Sequence, residues 1–376
     1  MDVVPKVKLG IIRYGENKIR HITVTRGEIP TKSVTASYML NDETGYIKIK
    51  NFGENTYPEL LIALAKLAQR GFSTLAIDLR GNTGGYLESA VQIANEFLAK
   101  GQLIVYTEGR RYPRQDYRAD GRGSYQHIPL VVLVDESSAS AAEILAGAIQ
   151  DNDRGTIIGR RSFGKGLVQK PMEFSDHSMI RLTIAHYYTP SGRCIQKPYT
   201  KGDGKDYAMD MMKRLKSGEL TNADSIHFTD SLKFETLREH RTVYGGGGIT
   251  PDEFVPLDTT LCTKFHRELA AKSIVIQQNL RYVDNNRKEL QSRWPSFADF
   301  KAQYEVPQSL IDAIMAEGEK QGIKPTDEAE LEKTLPYLKM QLKALVARDI
   351  WDMSEYFSVV NERSEMVKKA LEVIMK

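Results

Sequence analysis

Cysteine is nearly missing from this 376-residue chain: Cys194 and Cys262 are the whole complement. They form no CxxC pair and no metal-ligand spacing, and they read as two free or buried thiols in preference to one disulfide. Histidine is sparse too. The seven are scattered, with no HExxH or related spacing, so a metal site has little support. No apolar run approaches the roughly 20 residues that span a membrane. An excess of one charge is also lacking. The net charge of +3 is small for this length, and no dense basic tract carries interleaved aromatics, so nothing calls for nucleic acid as a partner. The opening MDVVPKVKLG has no charged segment followed by an apolar one, so it does not read as a signal peptide.

What is present is an ordinary globular balance, 41% hydrophobic and 27% charged residues, at a length that suits two or more domains. Residues 6–30 read as a β-hairpin: Val7, Leu9 and Ile11 alternate, Gly15-Glu16-Asn17 turns, Ile19 to Thr25 alternates again, and Arg26-Gly27-Glu28-Ile29-Pro30 breaks the pattern. An isolated hairpin is marginal in water, so this one is expected to complete a larger unit or to pack on the next one. From about residue 38, strands alternate with helices. The strands are Tyr46–Ile49, Thr74–Leu79, Leu103–Tyr106, Leu130–Val134 and Thr156–Ile158. Pro58 opens a helix with Leu60, Leu61, Leu64 and Leu67 on one face. Tyr86–Leu98 and Ala141–Ile149 are the other helices. Continuous apolar strands between amphipathic helices predict an α/β fold with a parallel-rich sheet covered by helices. Met179–Tyr188 alternates like a half-exposed strand. Residues 197–247 are polar, end in four glycines and read as an inserted surface excursion. From 263 to 376 the pattern is helical and predicts a separate domain. Leu338, Leu342 and Leu345 form one candidate core face, and Met366, Ala370, Leu371 and Ile374 another.

Three segments hold candidate chemistry. In Val134-Asp135-Glu136-Ser137-Ser138-Ala139-Ser140-Ala141, a buried strand turns through small residues into a helix. A serine there sits at the carboxyl edge of the sheet and near the positive end of a helix, although alone it reads first as a helix cap. In Gly159-Arg160-Arg161-Ser162-Phe163-Gly164-Lys165-Gly166, a lysine lies between two glycines, where the backbone can approach other groups closely. In dry surroundings a lysine loses its proton more readily and can act as a base, whereas alone this one reads as a solvated turn residue. Asp78-Leu79-Arg80-Gly81-Asn82-Thr83-Gly84-Gly85 is a strand entering a glycine turn whose N–H groups can face an oxyanion. The second segment also imitates a phosphate-binding loop, but Gly166 stands where Ser or Thr would hold magnesium. A strand ended by proline, Leu167-Val168-Gln169-Lys170-Pro171, and not a helix, follows, which argues against a nucleotide. A Ser–His–Asp hydrolase lacks its GxSxG turn, and His186 reads as a packing or exposed residue.

Together these stretches resemble the C-terminal processing peptidases, also called tail-specific proteases. The resemblance rests on DLRGNTGG, VLVDESSASAAEILAGAIQDNDRGTIIGRRSFGKGLVQ, TIAHYYTPSGRCIQ and GITPDE, in that order, and covers roughly residues 5–256. It implies a crotonase/ClpP-like core over residues 31–262. It selects Ser140 as nucleophile, because the catalytic lysine follows at 25 positions, at Lys165, and it implies that Gln169 orients that lysine. The oxyanion hole would be the Ala141 N–H with one from Gly84 or Gly85. The implied reaction is peptide hydrolysis through an acyl-enzyme without metal, ATP or other cofactor, on protein substrates with flexible C-termini. Residues 1–30 would be the last strands of a PDZ domain, the chain would begin mid-protein, and the full protein would be periplasmic or otherwise extracytoplasmic. Substrate enclosure or self-association would fall to 197–247 and 263–376. A non-catalytic scaffold on the same fold is the alternative.

Overall fold

The computed structural model describes residues 5–13, 17–27, 29, 31–199, 202 and 204–375. Gly15 and Glu16 of the expected turn, and Glu28 and Pro30 of the expected break, lie outside them. The chain divides into two compact units, Met1–Lys32 and Ser33–Lys376. The first holds an antiparallel hairpin of β1 (Lys6–Ile11) and β2 (Arg20–Thr25), with Leu9 opposite Ile22 and Val7 opposite Val24. The two-residue period of a strand puts Val7, Leu9, Ile22 and Val24 on one face.

The second unit is built on a six-stranded sheet. Its first half contains β3 (Val34–Met39), β4 (Thr44–Ile49), α1 (Thr56–Ala68), β5 (Thr74–Asp78), α2 (Leu87–Asn95), β6 (Leu103–Gly109) and β7 (Tyr112–Arg118). Then follow β8 (Leu130–Val134), α3 (Ala141–Asp151), β9 (Thr156–Gly159), β10 (Leu167–Glu173) and β11 (Met179–Tyr188). Within 197–247 lie α4 (Gly204–Ala208), α5 (Asp210–Lys216) and the ribbon β12 (Lys233–Glu235) and β13 (Thr242–Tyr244); β14 (Glu253–Phe254) returns to the sheet. The sheet order is β14-β9-β8-β5-β4-β3, parallel except for the antiparallel β3 edge. A second sheet, β10-β11-β6-β7, is antiparallel.

Burial on both faces explains the continuous apolar runs. Along β8, Leu130, Val132 and Val134 pack with α1, α2 and α3 in the main core. Val131 and Leu133 point to the opposite face and meet Met366, Val367 and Ala370. Those residues belong to the last helix of the series α6 (Lys264–Ala271), α7 (Ile274–Arg293), α8 (Phe297–Gln303), α9 (Gln308–Lys320), α10 (Glu328–Ile350), α11 (Met353–Val360) and α12 (Glu365–Ile374). The expectation of a separate helical domain over 263–376 is therefore corrected. Without α12 the second face of a parallel sheet would be left in water, and the final helix closes it. Leu338, Leu342 and Leu345 are buried in a cluster of their own with α6, α7 and α9, as their spacing predicts.

Three smaller expectations also change. Leu61 is exposed, because it lies 100° around α1 from buried Leu60. The strand after Lys165 runs through Pro171 to Glu173, because β10 is an edge strand, where a missing N–H costs no ladder bond. Residues 197–247 are not wholly a surface excursion: Arg214 and Glu219 are buried and pair with each other and with Arg161 beside the lysine loop.

Candidate active site

Three loops meet at the carboxyl edge of the sheet, beyond β5, β8 and β9. After β8 the chain turns at Asp135, and the nearby serines take different parts. Ser137 is exposed. Ser138 is fully buried; its Oγ donates to the Leu79 carbonyl at 2.8 Å and accepts the Asp135 N–H at 2.9 Å, which ties the β8 loop to the β5 loop. Ser140 is half-buried at the N-cap of α3, with φ 58° and ψ −116°. A positive φ at a residue with a Cβ is strained, and such strain clusters at functional positions.

The β5 loop packs against this turn. Ala139 donates its N–H to the Asn82 carbonyl at 2.8 Å. A Cβ at Gly84, whose φ is 97°, would stand 2.6 Å from the Ser140 Cβ and 3.0 Å from the Ala141 nitrogen. Only glycine fits there, and its absence of side chain brings the loop backbone up to Ser140. The Gly84 N–H itself donates to Asn82 Oδ1 at 2.8 Å. The loop is rooted in a buried ion cluster. Asp78 accepts from the Arg80 guanidinium and from Tyr46, with the Lys48 ammonium 3.3 Å away. Burial alone would raise the Asp78 pKa, but the Arg80 and Lys48 charges hold it well below the usual carboxylate range. Arg80 also donates to Ser364 and Asn361, at 2.9 and 3.1 Å, so the helices at the end of the chain grip the root of the glycine loop.

The lysine loop is held by a residue the motif reading did not single out. Glu143, in the first turn of α3, is fully buried. Its Oε2 accepts the N–H of Ser140 at 2.8 Å and of Lys165 at 2.9 Å. Its Oε1 accepts from Ser162 Oγ at 2.5 Å and from the Gly164 N–H at 2.7 Å. One carboxylate thus fixes the backbones of the serine and the lysine against each other. Burial raises the Glu143 pKa against the pull of these four donors. Tyr187, buried on β11, donates its hydroxyl to the Lys165 carbonyl. Burial, and next the Glu143 charge, push this phenol well up, so it keeps its proton as a donor. Gly166 donates to Gln196 at 2.9 Å, and Phe163 to the Ser138 carbonyl at 2.9 Å.

The structure therefore brings Ser140, Ala141, Gly84 and the Lys165 backbone together, with the half-buried lysine side chain on the same loop. Gln169 is exposed on β10, opposite Thr183, just after a register shift at Val168. Four residues of extended chain cover roughly 13 Å, so a contact with the Lys165 side chain needs the bulge to bend the strand. The missed signal for Glu143 was available, since Ser140-Ala-Ala-Glu143 is the S-x-x-E spacing of a capping box. No cluster of three or more metal-ligating side chains occurs among the described residues.

Residues 43–205 match peptidase family S41, and residues 265–352 match a family of unknown function, DUF8443. The chain is 40% identical over 197 residues to a carboxyl-terminal-processing protease of Synechocystis sp., covering 51% of this chain and 45% of that protein. It is 36% identical over 222 residues to carboxy-terminal processing protease CtpA of Bacillus subtilis, covering 57% and 47%. The chain spans less than half the length of these two curated relatives. A solved photosystem II D1 C-terminal processing protease aligns over 65% of this chain and 53% of its own, with 26% identity and a TM-score of 0.44. The three loops that meet at Ser140 all lie inside the stretch that matches peptidase family S41.

Proposed function

We propose that the chain is a serine endopeptidase of the carboxyl-terminal processing type, with Ser140 as nucleophile and Lys165 as general base. The observation that carries this reading is the Glu143 carboxylate, which binds the backbones of both residues at 2.8 and 2.9 Å. Lys165 Nζ takes the Ser140 proton as Oγ attacks the peptide carbonyl, and then gives it to the leaving amine. Water resolves the acyl-enzyme by the same steps. The oxyanion faces the Ala141 N–H at the start of α3 and a second N–H from the glycine loop. The Gly84 N–H is engaged by Asn82, which supports Gly85 over Gly84 in that role. Such a donor typically contributes about 100- to 1000-fold in turnover. Gln169 aims the lysine once substrate binding bends β10 at its register shift. Metal, nucleotide and nucleic acid have no part in this scheme. Substrates are proteins with flexible C-terminal stretches, and the hairpin of β1 and β2 is the PDZ-derived element of the family resemblance. In this reading, which rests on the same resemblance, the reaction runs in the periplasm or otherwise outside the cytoplasm.

The test is cleavage of an unfolded protein by the parent chain, Ser140→Ala and Lys165→Ala, with chelator present and no ATP. The parent is expected to cleave, and both variants to lose at least about 10,000-fold in turnover. Cleavage by Ser140→Ala at the parent rate sinks the assignment, and an inert parent favours a scaffold on the same fold.

A further inference from the structure

A second nucleophile lies far along the chain from the serine. Cys262 stands in the turn that enters α6, half-buried. Its Sγ is 3.1 Å from Nδ1 of His266, one helical turn on. The other ring nitrogen, Nε2, is 2.8 Å from Oε1 of Gln341 on α10. An amide oxygen only accepts, so the ring proton sits on Nε2 and the Nδ1 lone pair faces the sulfur. Thiol, imidazole and amide thus stand in the order nucleophile, base and orienter.

The packing makes this arrangement rigid. His266 is 4% exposed and takes the Tyr337 ring edge-on at 5.0 Å. Thr263 caps α6 by accepting the His266 N–H at 3.2 Å and meets Thr334 of α10 at 2.6 Å. Glu330 of α10 accepts the Phe265 N–H at 2.9 Å. Arg267 donates to the Cys262 carbonyl at 2.6 Å. The titratable groups around the pair are therefore Tyr337 and Glu330 from α10 and the Arg267 cation from α6. With only one cysteine and one histidine, the pair lacks the third ligand of a metal site. Burial pushes the thiol pKa of the other cysteine, Cys194, up.

We infer that Cys262 is an activated thiol, a site of thiol–disulfide exchange with small-molecule disulfides. The thiol proton passes to His266 Nδ1, and the sulfur attacks one sulfur of R–S–S–R. The Cys262–S–S–R bond forms as the old S–S bond breaks, and the leaving R–S⁻ takes the proton from His266. No electrons beyond those of the disulfide are exchanged.

The test uses the whole chain and Ellman's aromatic disulfide at pH 6, with peptide mass mapping to assign each adduct. At this pH an ordinary thiol is almost wholly protonated. A histidine-paired one reacts about tenfold faster, after allowance for its lower intrinsic nucleophilicity. Cys262 is expected to react about tenfold faster in the folded chain than in denaturant, and faster than folded Cys194. An ordinary half-buried thiol does the opposite and slows on folding. His266→Gln is expected to remove the advantage, and Gln341→Leu to reduce it. The inference is overturned if folded Cys262 reacts no faster than the denatured chain, or if His266→Gln matches the parent. The folded-against-denatured comparison needs no variant, so a misfolded substitution does not protect the inference.

Discussion

The two proposed nucleophiles are held in opposite ways. Ser140 sits on a strained backbone between loops, and what fixes it is buried polar chemistry: the Glu143 carboxylate, the Ser138 and Asn82 bridges, and the Asp78–Arg80 cluster behind them. Cys262 sits at the entry to α6, where the packing of α6 against α10 sets the geometry and His266, Gln341 and Thr334 add side-chain hydrogen bonds. Loops leave backbone N–H groups without partners, and a buried loop survives only where something accepts them. Helices satisfy their own backbones, so a helical site needs only side-chain contacts. Substitutions at buried polar groups of the sheet edge should thus be the most damaging in this chain, and their effects should appear in turnover before they appear in unfolding.

Glu143 is the largest expected case. Glu143→Ala leaves the four donors of Ser140, Lys165, Gly164 and Ser162 in a dry interior. We expect a loss of about 3–5 kcal/mol in denaturant unfolding and of peptidase turnover beyond about 100-fold. Glu143→Gln keeps the volume but turns an NH₂ toward two of those donors, so it should rescue stability in part and turnover hardly at all. Wild-type turnover with Glu143→Gln would show that the carboxylate is not what aligns serine and lysine. Acid should act on the same group. Its pKa is raised by burial, so on acidification it takes up a proton at a higher pH than an ordinary glutamate. Activity is expected to fall over that range. The sign for stability is opposite, since a raised folded pKa means the folded state gains from protonation as pH drops. A pH–activity profile run beside pH-dependent unfolding separates the two.

Arg80 comes next. Asp78 is fully buried, and the guanidinium side chain is 20% exposed. Arg80→Ala is expected to cost about 2–3 kcal/mol, less than a wholly buried pair, because water and the Lys48 ammonium reach the carboxylate. Asp78 has a depressed pKa, so its contribution is present above about pH 4 and fades as pH falls below it. In the Arg80→Ala variant this acid loss should shrink, as measured by urea unfolding at pH 3 and pH 6. The softer variants Asn361→Ala and Ser364→Ala remove the grip of the final helices on the glycine loop. If the loop depends on that grip, they lower kcat with little change in unfolding.

Much of this was legible in the sequence, and the reason is local. The Leu130–Val134 run, the small residues after it and the glycines around Lys165 each report their own backbone conformation, so strand, turn and helix could be placed without knowing the rest. Family resemblance then chose among three serines that residue chemistry alone left open. What was hidden is long-range. The apolar face of α12 was visible in Met366 and Ala370, but no pattern says that it returns to cover Val131 and Leu133, more than 200 residues earlier. In sequence Tyr187 is one more residue of the half-exposed Met179–Tyr188 strand, and nothing local marks His266, because their partners come from other elements. Met366→Ala tests the return of the chain directly. Lost packing against Ile158, together with the cavity left behind, should cost about 2–4 kcal/mol in denaturant unfolding. A change below about 1 kcal/mol would mean that the second face of the sheet does not need its helix.

Gln169 is the smallest expected effect and the most discriminating. Its side chain is exposed on an edge strand, so Gln169→Ala removes no core contact and should leave unfolding unchanged. If substrate binding bends β10 so that the amide reaches the lysine, turnover falls by about 10- to 100-fold while KM moves little, the size expected when a reacting group is slightly misaimed. If turnover is untouched, the aim of Lys165 comes from the backbone alone, through Glu143 at its N–H and Tyr187 at its carbonyl. Tyr187→Phe should then lower kcat where Gln169→Ala did not, and the lysine would be held as the serine is, by buried polar groups and not by its own strand.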